Sequence, residues 1–89
     1  MDRVHLIITG NVTGVLFRSY ASMEARKLSL TGWVKNVSDS VEIVAEGPKE
    51  KLEDLVDWAK VGPTYAQVDD LKVTWEKASG EFATFEISR

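Results

Sequence analysis

The chain has no cysteine, and His5 is its single histidine. Without thiols there is no disulfide, no thiolate nucleophile and no cysteine-bound zinc. One imidazole is too few for any site that needs a pair. Long apolar runs are missing as well. No stretch could span a bilayer, and the apolar part of the opening MDRVHLIITG is too short for a secretory signal. No membrane partner and a cytoplasmic location are therefore expected. The sequons Asn11-Val12-Thr13 and Asn36-Val37-Ser38 then have no route to glycosylation. No linker, low-complexity stretch or repeat divides the 89 residues, so residues 1–89 read as one domain, near the lower size that builds its own core.

Basic excess is also absent. The net charge of −3 argues against a nucleic-acid partner. The charge is nevertheless uneven. Residues 1–36 hold five basic residues against two acidic ones, and the remainder holds six against twelve. A basic first part suits a small anionic ligand, although most charge clusters are solvated faces.

What is there is a clear alternation of patterns. Val4, Leu6 and Ile8 recur at period two and predict a strand. Phe17, Ala21, Ala25 and Leu28 follow at helical spacing. Residues 31–36 and 41–46 read as a hairpin turning through Ser38, Asp39 and Ser40. Pro48 suits a first helical position, and Leu52, Leu55, Val56 and Ala59 stripe a second helix that ends near Gly62-Pro63. Leu71, Val73 and Trp75 alternate again, and Ala83, Phe85 and Ile87 suggest a short last strand. Each helix has one apolar stripe, so both should cover one face of an antiparallel sheet. The expected fold is α+β, a ferredoxin-like βαββαβ sandwich with a short C-terminal strand. Such a fold hosts many functions, so the functional argument must come from a site.

The informative segment is Gly10-Asn11-Val12-Thr13-Gly14-Val15-Leu16-Phe17-Arg18. Glycines between a strand and a helix allow a concave loop whose N–H groups converge, a metal-free seat for a phosphoryl group at a helix N-terminus. Arg18 falls in the first helical turn, where a cation opposes the macrodipole at a cost of about 0.3–1 kcal/mol. An anion seated there removes that cost, and a guanidinium holds two phosphate oxygens at once. The alternative is a surface arginine on an ordinary glycine turn. The glycine spacing matches neither a Walker loop nor a dinucleotide-binding fingerprint, so no nucleotide cofactor is expected. Asn36 by itself would most simply be a strand-end residue bonding its own turn.

The segment resembles the acylphosphatase signature G-x-V-Q-G-V-x-F-R at Gly10, Val12, Gly14, Val15, Phe17 and Arg18. A second block of that family, L-G-L-x-G-W-V-x-N, is met by Leu28, Leu30, Gly32, Trp33, Val34 and Asn36. Val41-Glu42, Glu46-Gly47, and Gly62-Pro63 with Ala66 and Val68 also follow the family pattern, so the resemblance covers nearly the whole chain.

The resemblance implies a ferredoxin-like fold and hydrolysis of small acyl phosphates to a carboxylate and inorganic phosphate. It implies no metal and no other cofactor. It makes Arg18 and Asn36 catalytic, with the main-chain amides of Val12, Thr13, Gly14 and Val15 as the phosphate cradle. A monomer is expected, with an acyl phosphate as substrate and phosphate as product. Three departures stand out. Thr13 replaces the usual glutamine, Ser29 replaces a glycine after the first helix, and the turn after Asn36 is one residue shorter and lacks its glycine. A tightened turn could re-aim Asn36, because turn length sets hairpin register.

Two other readings compete. A phosphate-binding module with little or no catalysis would tolerate the shortened turn. An RNA-binding module of the same element order would need aromatics on its central strands, but residues 6–8 and 41–46 supply none.

Overall fold

A computed structural model of the chain describes residues 1–88. The elements follow as β1 (Asp2–Asn11), α1 (Phe17–Lys27), β2 (Thr31–Val37), β3 (Ser40–Gly47), α2 (Lys49–Val61), β4 (Gln67–Lys77) and β5 (Phe85–Ile87). The strands form one sheet in the order β4-β1-β3-β2-β5. Its pairings are antiparallel except that β5 runs parallel to β2. The ferredoxin-like α+β expectation therefore holds, with a mixed sheet in place of an antiparallel one. The reason is topological: the chain leaves β4 at one edge, crosses the sheet end and returns in the opposite sense. That sense is the one in which β2 already runs.

Alternation puts Val4, Leu6 and Ile8 of β1 and Val41, Ile43 and Ala45 of β3 on the helix-covered face. Phe17, Ala21 and Ala25 of α1 and Leu52, Leu55 and Ala59 of α2 close over them, all almost wholly buried. The other face carries no helix and is only partly covered, with Val44 and Glu46 buried on it. There Glu42 Oε2 lies 2.5 Å from His5 Nε2, and Lys35 Nζ is 3.9 Å from the second oxygen of the same carboxylate. Edge strand β4 packs more loosely. Trp75 is 42% exposed, with the Lys49 ammonium 5.7 Å from its ring centre. Pro48 stands one residue before α2, as its cap in extended conformation rather than as its first helical residue.

The end of α1 explains one departure from the family pattern. Ser29 N–H donates to Arg26 O at 3.0 Å and Leu30 N–H to Ala25 O at 2.9 Å, the paired bonds of a Schellman motif. The motif needs a left-handed residue, and Ser29 supplies it with φ of 60°. A side chain there strains the backbone by ~1–2 kcal/mol, partly offset because glycine loses more freedom on folding. Ser29→Gly is expected to raise unfolding stability by about 0.5–1 kcal/mol in urea titration.

One buried charge ties the crossing segment to the sheet. Glu46 is 5% exposed. It accepts hydrogen bonds from Arg3 Nε at 2.7 Å, from the main-chain N–H of Ser79 at 2.8 Å and of Gly80 at 3.0 Å, and from the Ser79 hydroxyl at 3.0 Å. Burial pushes its carboxyl pKa up, but those four donors together outweigh it and hold the group at about 2, against 4.5 for the free side chain. Because the folded pKa is depressed, the resulting stability is full above pH ~4.5 and drains away as pH falls through ~2. Its size is on the order of 2–3 kcal/mol. Glu46→Gln is expected to lose about that much at pH 7 and to flatten the acid limb of the stability profile, measured by denaturant melts from pH 7 to 2.

Candidate active site

The site is assembled where β1 ends and α1 begins. The pairing of β1 with β4 slips between Thr9 and Gly10, a bulge that turns the end of β1. Gly10 is required there: with φ of 128°, a Cβ on it would lie 2.2 Å from Gln67 O. Its work is therefore in the sheet and not in the phosphate loop to which the sequence pattern assigned it. Gly14 is the loop glycine. Its φ is 75° and no atom lies within 4 Å of where a Cβ would stand, so conformation alone demands it.

Two residues later the chain is left-handed again. Leu16, the N-cap of α1, has φ 61° and ψ 23° and makes no side-chain capping bond. A leucine in this conformation is strained by ~1–2 kcal/mol. Left-handed residues set among ordinary ones turn successive N–H groups toward one side, forming an anion nest. Consistent with that, among the described residues the main-chain N–H groups of Thr13, Gly14, Val15 and Leu16 donate to no protein acceptor. The first turn of α1 holds no acidic residue, while Arg26 and Lys27 stand in its last turn. The helix dipole is thus complemented by charge at its C-terminus and left open at its N-terminus.

Phe17, the first residue of α1, is 1% exposed. Its ring meets Trp58 edge-on, with centroids 5.3 Å apart at 61°. This burial fixes where α1 starts and so where the adjacent Arg18 stands. Asn36 arrives from the other side. The β2–β3 register runs unbroken from Thr31 opposite Glu46 to Val37 opposite Ser40, leaving a two-residue turn. Ser38 takes the left-handed φ of 54° that such a turn needs at its first position. With that register, Asn36 shares the helix-side face with Gly32 and Val34. The shortened turn thus keeps Asn36 toward the site; the strain falls on Ser38.

A cleft of ≈ 600 Å³ is lined by Val12, Gly14, Arg18 and Asn36, together with Leu16, Phe17, Ser19 and Ile87. It brings together both side chains singled out in the sequence and two of the four loop residues. Thr13 and Val15 do not line it, and Val15 faces a neighbouring groove. Leu16 and Ile87 carried no signal of their own: one is a leucine in a glycine-like conformation, the other reaches the cleft through the parallel pairing of β5. Among the described residues, neither the Arg18 guanidinium nor the Asn36 amide hydrogen-bonds to any protein group. A cation and an amide left without partners beside unbonded main-chain donors make an arrangement ready for an oxyanion.

Fold and site together define a ferredoxin-like α+β sandwich whose first helix is entered through a loop of main-chain N–H groups unbonded among the described residues. The acylphosphatase family model matches residues 4–87. The acylphosphatase of Pyrobaculum arsenaticum is 45% identical over 98% of this chain and 94% of its own. That of Methylococcus capsulatus is 43% identical over 100% and 98%. The crystal structure of the Bacillus subtilis acylphosphatase superposes with a TM-score of 0.95 at 40% identity, covering all of both chains. The chain belongs to the acylphosphatase family. If the loop seats an anion, inorganic phosphate is expected to shift the amide resonances of Val12 to Ser19 and to raise Tm in a saturable manner. An NMR titration at fixed ionic strength checks this against a general salt effect.

Proposed function

We propose that this member of the acylphosphatase family hydrolyses the carboxyl–phosphate bond of small acyl phosphates by phosphoryl-group positioning and electrostatics. The N–H groups of the Val12–Val15 loop and the Arg18 guanidinium hold the phosphoryl oxygens, and Asn36 orients the attacking water. The observation that supports it is the convergence of Arg18, Asn36 and the loop on one cleft, with no competing protein partner among the described residues.

An acyl phosphate is a mixed anhydride. Its leaving group is a carboxylate, which departs without being protonated, so no general acid is needed. Water oxygen bonds to phosphorus as the bond from phosphorus to the acyl oxygen breaks, and that electron pair leaves with the carboxylate. A water proton ends on the phosphate. Charge spreads over the equatorial oxygens in the transition state, where a guanidinium fork and fixed N–H dipoles act most strongly. The Asn36 side-chain oxygen accepts from one water hydrogen and thereby sets the line of attack. An amide is a poor base, so in this scheme its contribution is orientation.

Residues 1–89 act in this reading as one catalytic domain, a monomer in the cytoplasm, with no cofactor and no nucleic-acid partner. Arg18→Ala is expected to lower kcat/KM for acetyl phosphate by about 10²–10³-fold, the range for losing one oxyanion donor. Asn36→Ala is expected to lower kcat with little change in KM. Both variants should keep the wild-type Tm within a degree or so, since neither side chain hydrogen-bonds another of the described residues. Assays run in EDTA should give unchanged rates. Folded variants with full activity would refute the assignment, and phosphate binding without turnover would favour a non-catalytic module.

A further inference from the structure

Strand β5 is 3 residues long and lies at one edge of the sheet. A strand this short holds its place only with help from outside its own ladder. Its pairing with β2 is bracketed by two bonds: Gly32 N–H donates to Thr84 O at 3.0 Å and Ser88 N–H to Val34 O at 2.7 Å. Carbonyls alternate in direction along a strand, so Phe85 O faces away from β2, toward the free edge. No strand completes it there. Arg26, in the last turn of α1, does so instead. Its Nε and one terminal guanidinium nitrogen both donate to Phe85 O, at 3.0 and 2.9 Å.

This clamp bears on the Arg18 cleft through Ile87. Side chains alternate as well, so Ile87 falls on the same face of β5 as Phe85, which is buried in the core. Ile87 pairs with Val34, and Asn36 is the next residue of β2 on that face. The two therefore line the cleft together from adjacent strands. Asn36 needs such a neighbour. It is exposed, and among the described residues its amide has no hydrogen-bond partner, so no polar contact there fixes its rotamer. An amide that sets a line of attack must itself be confined, and a branched side chain on the next strand confines it by bulk.

We propose that Arg26 is a positioning residue for the hydrolysis: by gripping Phe85 O it fixes β5, and through β5 it keeps Ile87 beside Asn36. The proposal rests on the acyl phosphate reading and adds to it what holds the water-orienting amide. Arg26 stands about 12 Å along α1 from Arg18 by helical rise, so it reaches the reaction through β5 and not directly. Its effect belongs to the line of attack. Binding of the phosphoryl group stays with Arg18 and the loop.

The experiment measures kcat for acetyl phosphate and the inhibition constant of inorganic phosphate in Arg26→Ala and Ile87→Ala, each alone and combined with Asn36→Ala. Ile87 is 44% exposed, so its truncation should leave the fold intact. Each single variant is expected to lose about tenfold in kcat at an unchanged inhibition constant. With Asn36 already truncated, neither substitution should lower kcat further, because the group they confine is gone. A clamp that only stabilises the fold would leave kcat alone, or lower it equally in both backgrounds. In Arg26→Ala the Ser88 amide should also exchange faster with solvent. Should Arg26→Ala fail to fold, Arg26→Lys takes its place, keeping the charge but not the two-pronged grip, with a loss in the same direction. Wild-type kcat in either single variant, or an undiminished loss in the Asn36→Ala background, overturns the positioning role and leaves the parent reading intact. No turnover by the wild type, or full activity in Asn36→Ala, overturns the parent reading, and the positioning role with it.

Discussion

Burial of Phe17 is the constraint from which the site follows. The residue begins α1, lies almost wholly out of solvent and meets Trp58 of α2 in an edge-on contact. Losing such a ring from a core costs about 3–5 kcal/mol, so the helix start cannot drift without a large penalty. Arg18 is covalently next to it, and the loop that reaches it is held at its far end by Val12, which is fully buried. Between two buried anchors the chain has few residues and little freedom. That is how a solvent-facing loop can keep its N–H groups arranged for a ligand.

Strain is distributed unevenly. Leu16, Ser29 and Ser38 all take left-handed φ values without being glycine. Ser29 ends α1 and has a structural explanation in its two motif bonds. Ser38 permits the two-residue turn that keeps β2 and β3 in register through Asn36. Leu16 is different, because it is exposed, bulky and placed between two clefts. Strained residues persist where the surroundings over-determine them, and such positions cluster at functional sites. Here the surroundings are Phe17 on one side and Gly14 on the other.

Much of this was legible in the sequence, for local reasons. The period-two runs at Val4–Ile8 and Val41–Ala45 and the helical stripe at Phe17, Ala21 and Ala25 encode their own geometry. Arg18 and Asn36 stood out because they sit in two spaced blocks, and the structure brings them to one cleft. Other features depend on contacts far apart in the chain and leave no local mark. Glu46 looks like any acid in a strand until Ser79 and Gly80 fold over it. The parallel pairing of β5, which delivers Ile87 to the cleft, follows from the path of the whole chain. Gly10 and Gly14 read as one loop motif, although one serves a bulge against β4 and the other a left-handed turn.

The central claim is that unbonded main-chain amides and a guanidinium at a helix start form a seat for a phosphoryl dianion. A crystal structure grown with inorganic phosphate tests it most directly. The expected result is a phosphate within hydrogen-bond distance of the Gly14 region main chain, with the Arg18 fork on two of its oxygens and a water between it and Asn36. A cleft empty at saturating phosphate, with Arg18 turned away from it, would contradict the claim.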